Sequence, residues 1–393
     1  MELPATYYDV LLKRDAALFE NVRRDIAEVK PEHPFGSTDE FSKYFDYYLQ
    51  DTLKRFADDF SERLNALRLG EEEGQKALDQ AMASNDVKLL AHSRLADYLA
   101  VANFELFGRK TFYVNDNLVQ QLAHTSLETE AEYLQLPFPS CLFVFTSPLA
   151  LRALYAIHGA GSGDIDFQAP ISVFATSHPS SEVGRKLMFA CWHARHGKSH
   201  FHVKRELLIR PGWTISKTLR TDWDDIYAEL GRSGEVTTNE LVFGEKGDDR
   251  LFYEQGLTFF RIVLNTILYL CSNESSVLKH LSPHAQNVAA LDLIKSSVKR
   301  RKRFKEIAKT SRLDFTEVGW NLPPIVVEKP GAVPSVSPGE GISSERYFRF
   351  IVRGHWRQQA HGPDHSERKL IWIKPYYKGP EMAELVNRPY IVR

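Results

Sequence analysis

Cysteine is scarce in this chain. Cys141, Cys191 and Cys271 are the only three in 393 residues, far apart and each within an apolar run. That fits buried reduced thiols better than a disulfide framework and points to a cytoplasmic location. Charge of one sign is missing too: the net charge of -1 gives no global attraction to nucleic acid or to a membrane surface. Uninterrupted hydrophobic runs are missing as well. The longest apolar stretch, "LFYEQGLTFFRIVLNTILYLC", is broken by Glu254, Gln255, Arg261 and Asn265. Charges are costly in a bilayer core, so it reads as a buried helix and no membrane partner is expected. The opening "MELPATYYDVLLKRDAALF" carries acids and no small-residue cleavage site, so no secretory leader is expected. Absent also are a Walker A loop, a GxGxxG after a strand, a GxSxG elbow, the kinase set, HExxH and paired CxxC. No cofactor is expected, and the balance leans away from an enzyme.

What is present is a folding composition, with 43% hydrophobic, 12% aromatic and 26% charged residues. In residues 1–132 apolar side chains recur every three or four positions, as at Phe41, Phe45, Tyr48, Leu49, Leu53 and Phe56, behind cap oxygens at Ser37, Thr38 and Asp39. A second helix runs through "DVKLLAHSRLADYLAVANFELFG", with Asn85 and Gly108 at its ends. These predict an antiparallel helical layer. In residues 133–285 short runs such as "PFPSCLFVF", "APISVFATS", "KLMFACWHAR" and "HFHVKRELLIRPG" predict a central antiparallel sheet with packed helices. Residues 286–345 are basic and then rich in Pro, Gly and Ser, which reads as a linker. Residues 346–393 close the chain with two strand-like runs, Phe348, Phe350 and Val352 alternating against Leu370 and Trp372. The fold class is α+β.

Four clusters carry possible chemistry. His193, His196, His200 and His202 flank a hairpin turn, where three imidazoles can hold zinc or simply be polar hairpin residues. Between Lys295 and Arg312 nine basic residues meet one acid. Its centre, Lys299, Arg300, Arg301, Lys302 and Arg303, can neutralise RNA phosphates or be a solvated connector. "GAGSGD" (residues 159–164) reads as a turn, and Asp222, Asp224 and Asp225 as a helix start. The last cluster is "VRGHWRQQAHG". A strand there puts Arg353 and His355 on one face and Val352, Gly354 and Trp356 on the other. Arg353 and Arg357 can grip phosphate, and His355, helped by His361 or His365, can move protons in a metal-independent RNase. Equally, Trp356 and Trp372 can stack across strands as structure.

"VRGHWRQQAHG…LIWIKPYYKG", preceded by "LPFPSCLFVF" and by "YLCSNESSV", resembles the type V-A anti-CRISPR family of phages, plasmids and other mobile elements. The matching positions are Arg353, Gly354, His355, Trp356, Trp372 and Pro375, within a resemblance running from about Leu136 onward. It implies an interaction protein that lowers expression of a target by recognising a nascent polypeptide at the ribosome, with loss of the mRNA. The implied partners are a nascent chain or ribosome, with mRNA or rRNA contact. A metal-independent RNase and a plain RNA-binding module are the competing functions.

Overall fold

The computed structural model describes residues 2–29, 33–36, 85–156, 169–180, 183–194, 200–232, 249–272, 275–323, 348–378 and 384–385, with single positions 50, 54 and 76. The helix expected through residues 41–56, apart from positions 50 and 54, and the glycine turn at residues 159–164 lie outside them, as does His196.

Helix α1 (Tyr7–Arg14) starts at a capping box: the Thr6 hydroxyl accepts from the Asp9 N–H, and Asp9 Oδ2 accepts from the Thr6 N–H at 2.9 Å. With α2 (Ala16–Val29) and α3 (Asn85–Leu106) it forms the expected helical layer. Gly108, at φ 78°, follows α3. Next come β1 (Thr111–Val114), α4 (Asp116–Ala123), β2 (Ser140–Phe145), α5 (Pro148–Ala156), β3 (Ile171–Ser180), β4 (Gly184–Ala194) and β5 (His200–Ile209). Helices α6 (Ile215–Arg232) and α7 (Asp249–Cys271) follow, then β6 (Val277–His280), α8 (His284–Ala290), α9 (Ser297–Ile307) and β7 (Phe315–Val318). The tail holds β8 (Phe348–Val352), β9 (His355–His361), β10 (Glu367–Ile373), β11 (Tyr376–Lys378) and β12 (Glu384–Leu385).

The α+β class holds, built on one seven-stranded sheet of order β5-β4-β3-β2-β1-β7-β6. Strands β2 to β5 are antiparallel as expected, but β1 runs parallel to both β2 and β7. The sequence concealed this because β1 and β7 are four residues long, too short to display a period. Strand β7 falls within residues 286–345 and is nevertheless sixth in the sheet.

Both faces of the sheet are covered, and β2 explains how. Cys141, Phe143 and Phe145 join a core with α4, α5 and α7, while Leu142 and Val144 join Tyr8, Phe19, Phe104 and Trp192 under the helical layer. Alternation over two buried faces yields a continuous apolar run. Cys141 and Cys191 are buried as expected. Cys271 is exposed at the end of α7, its thiol donating to the Gln135 carbonyl at 3.0 Å. Helix α7 is that longest apolar stretch, and among the described residues no helix is long and apolar enough to cross a membrane.

Two expectations need correcting. Helix α6 starts at Ile215, where Thr214 Oγ1 accepts from the Lys217 N–H at 3.1 Å, so Asp222, Asp224 and Asp225 sit in its interior and not at its start. The run "RYFRFIVRGHWRQ" is two strands, β8 and β9, divided at Arg353 and Gly354. Strand β9 pairs with β10, whereas β8 pairs with β11 and β12, so Val352 faces Tyr376 instead of Leu370 or Trp372.

Candidate functional site

The division between β8 and β9 has a cause in the helices beneath it. Helix α4 ends at Ala123 and leaves carbonyls without intrahelical partners. Asn265, fully buried in α7, donates from Nδ2 to the carbonyls of Leu122 (3.2 Å) and Thr125 (3.0 Å). Its Oδ1 accepts from Trp356 Nε1 at 2.7 Å. Trp372 Nε1 donates to Thr125 Oγ1 at 3.2 Å, and that hydroxyl donates to the Gln121 carbonyl at 3.0 Å. The Gly354 N–H donates to the His124 carbonyl at 3.0 Å, and the Gly354 carbonyl accepts from the Ser126 N–H at 2.8 Å. The tail is thus clasped to the end of α4 and the middle of α7.

Trp356 and Trp372 face each other in the β9–β10 register and stack with centroids 6.1 Å apart and planes 25° apart. Tyr269 meets Trp372 edge-on at 5.3 Å. Both indoles belong to the main core. Gly354 is required for space, not for an unusual backbone angle. A Cβ there would lie 2.7 Å from Thr125 Oγ1, 2.8 Å from Pro375 Cδ and 2.9 Å from the Ile373 carbonyl oxygen. Gly354→Ala is therefore expected to cost ~1–3 kcal/mol through overpacking. Urea unfolding of both forms checks this.

The six motif positions therefore divide in two. Gly354, Trp356 and Trp372 are buried, with Pro375 against Gly354, while Arg353 and His355 are exposed, and Arg357 continues the exposed side of β9. The alternation matches the strand reading. Arg353 and Arg261 lie near His124, and burial together with these two cations lowers the His124 pKa. His355 is one end of β9 and His361 the other, six residues or ~20 Å apart. His361 lies 3.6 Å from Glu367, and His365 sits in the turn beyond it. That distance separates His361 and His365 from any chemistry at His355.

Strands β4 and β5 pair on either side of the histidine turn, and His193 is the member whose ring contacts are described. His193 is buried, its ring nitrogens engaged by the Tyr155 hydroxyl and by the Ala169 carbonyl at 3.0 Å. The register pairs His202 with Trp192 and His200 with Ala194, the neighbours on either side of His193. Alternation puts His193 on the face opposite those two positions. Among the described residues no group of three or more His, Cys, Asp or Glu side chains could hold a metal.

The basic run is helix α9, capped by Ser296 Oγ accepting from the Lys299 N–H at 3.4 Å. Lys299, Arg300, Arg301 and Lys302 are exposed. Arg303 is engaged internally, with Glu306 at 3.2 Å and Asn287 of α8 at 3.3 Å. The apolar side chains of this helix mostly face solvent: Ile307 is buried, whereas Val298 and Phe304 are 77% and 60% exposed. Helix α9 packs on α8, and the clasp on α4 and α7, so the two groups of cations rest on different supports.

Sequence reasoning missed Gln121, His124, Thr125 and Asn265. One signal was available: Asn265 is an amide within an apolar helix, and a buried amide demands partners.

No curated protein and no solved structure matches the chain. A family model does, that of the AcrVA2-like anti-CRISPR type V subtype A2 family, over residues 112–377. The match begins in β1, ahead of the expected start near Leu136, and ends in β11. It takes in the sheet, α4, α7, the basic helix and the whole clasp, which is well over half of the molecule. The chain belongs to the AcrVA2-like anti-CRISPR type V subtype A2 family.

Proposed function

We propose that this anti-CRISPR family member lowers expression of a target protein by recognising its nascent polypeptide at the ribosome, with loss of the messenger. The observation that carries this reading is the division of the motif. Its aromatic half is committed to folding, and its charged half, Arg353 just before β9 and His355 with Arg357 on it, is exposed. Exposed guanidinium groups bind phosphate or carboxylate by charge-assisted hydrogen bonds. The exposed cations of α9 add a second, sequence-independent contact for rRNA or mRNA.

The test is co-sedimentation with translating ribosomes as salt is raised. Lys299→Glu with Lys302→Glu is expected to weaken association and to flatten its log–log salt dependence by ~0.7 for each single-strand phosphate that is no longer neutralised. Association unchanged in amount and salt response would contradict the RNA contact. Incubation with labelled RNA in chelator separates the RNase alternative: cleavage that disappears on His355→Ala would replace the contact reading with a catalytic one.

A further inference from the structure

Seven of the ten exposed large apolar side chains among the described residues lie between Val277 and Phe304. A patch so concentrated marks a docking surface more often than chance exposure does. Its first element is β6, the last strand of the sheet, which pairs with β7 on one side only among the described residues. Val277 and Leu278 are 45% and 41% exposed, one on each face of the strand. An open edge with apolar side chains is a template for another strand.

The patch continues through Leu281, 82% exposed, into α8 and α9. Between those helices is a groove of about 430 Å³ lined by Val288, Leu291, Lys295 and Phe304 among others. Cations outnumber acids among the apolar groups: Lys279 lies in β6, and Lys295, Arg300 and Arg301 line the groove against one carboxylate, Asp292. Charge decides among occupants. Edge-to-edge pairing of two copies would bring two Lys279 and two basic helices together, and like charges facing across a pair are destabilising. RNA would match the cations but leave the aliphatic side chains uncovered. A polypeptide alternating acidic and apolar residues satisfies both.

We propose that β6 and the adjoining α8–α9 arm dock an extended polypeptide carrying acidic and apolar residues, which adds as a further strand beside β6, on the side where no described residue pairs with it. The proposal rests on the reading that this protein recognises a polypeptide, and it supplies the surface and the chemistry of the ligand.

Fluorescence anisotropy with the full chain tests it, using labelled peptides of alternating Val–Glu and alternating Val–Lys, and an oligouridine of similar length. The Val–Glu peptide is expected to bind roughly tenfold or more tighter than Val–Lys, which is about 1.4 kcal/mol. Lys279→Glu with Lys295→Glu should reverse that preference, and both are surface changes that leave the core intact. Bound Val–Glu peptide should slow amide exchange at residues 277–280. Equal binding of the two peptides, or none, overturns the proposal. Protection of 277–280 that rises with protein concentration alone assigns the edge to a second copy. Oligouridine binding abolished by the Lys279→Glu and Lys295→Glu changes assigns it to RNA. The Lys279→Glu protein, altered on β6 alone and not on α9, should lose the Val–Glu preference yet still co-sediment with ribosomes that carry no nascent chain, so failure at the strand edge and failure at the messenger are read separately.

Discussion

Trp356→Ala is expected to destabilise the fold by ~3–5 kcal/mol, the usual cost of emptying a large aromatic site. The side chain is only 6% exposed, stacks on Trp372 and donates to Asn265. Its removal leaves a cavity in the main core and strips Asn265 Oδ1 of its 2.7 Å donor. Trp356→Phe separates the two contributions. It keeps a ring in place but not the N–H, and a buried acceptor left unpaired costs ~1–3 kcal/mol. Urea unfolding of the three proteins at one pH should rank them wild type, Phe, Ala. A Trp356→Ala protein as stable as wild type would mean that the tail is not clasped to α7. Because a loss of that size is a large share of the ~5–15 kcal/mol typical of a domain, any loss of function in this variant must be read as unfolding.

The second large effect is electrostatic. Asp97 on α3 is 6% exposed, and burial raises its pKa from 3.8 to about 7 despite the opposing Arg14 guanidinium and a hydrogen bond from Tyr7. The folded protein therefore holds this proton where the unfolded chain has released it. The associated stability is complete below pH 3.8 and is lost as pH rises through about 7. At about 1.4 kcal/mol per pH unit the loss is roughly 4 kcal/mol. His178 works in the other direction. Buried in β3, chiefly by desolvation, it is lowered from 6.5 to about 4, so its contribution is present above pH 6.5 and lost as pH falls toward 4. Over their shared window the two nearly offset, which masks both in the wild type. Asp97→Asn should uncover the histidine limb and raise the stability difference between pH 8 and pH 4 by roughly 4 kcal/mol. Denaturant unfolding at the two pH values measures it, and comparing differences removes any pH-independent cost of the substitution. An unchanged difference would mean that Asp97 ionises normally in the folded protein.

Much of the fold was legible because its elements are long enough to show a period. The helix ending before Gly108, the helix through Ile262 and Leu268, and the β4–β5 hairpin all follow from spacing and from bounding Gly, Pro and Asp. Strands β1 and β7 did not, and with them went the parallel centre of the sheet, since four residues are too few to show an alternation. In the tail, alternation correctly sorted Arg353 and His355 from Gly354 and Trp356. It could not foresee that Gly354 bridges to Thr125, a residue 229 positions earlier in the chain, and that this bridge divides the strand. The partners of the clasp, at and just beyond the end of α4 and in α7, were hidden for the same reason. Hydrogen bonds between residues more than ninety positions apart, such as Trp356 to Asn265, leave no local pattern.

The division of the motif into a folding half and a contact half can be tested in one preparation. The Arg353→Ala, His355→Ala, Arg357→Ala protein should be made alongside Trp356→Ala, with thermal unfolding and repression of a target reporter measured together. The expected result is a triple variant that melts with the wild type yet no longer represses, beside a Trp356→Ala protein that melts early. Repression at wild-type level in a folded triple variant would contradict it.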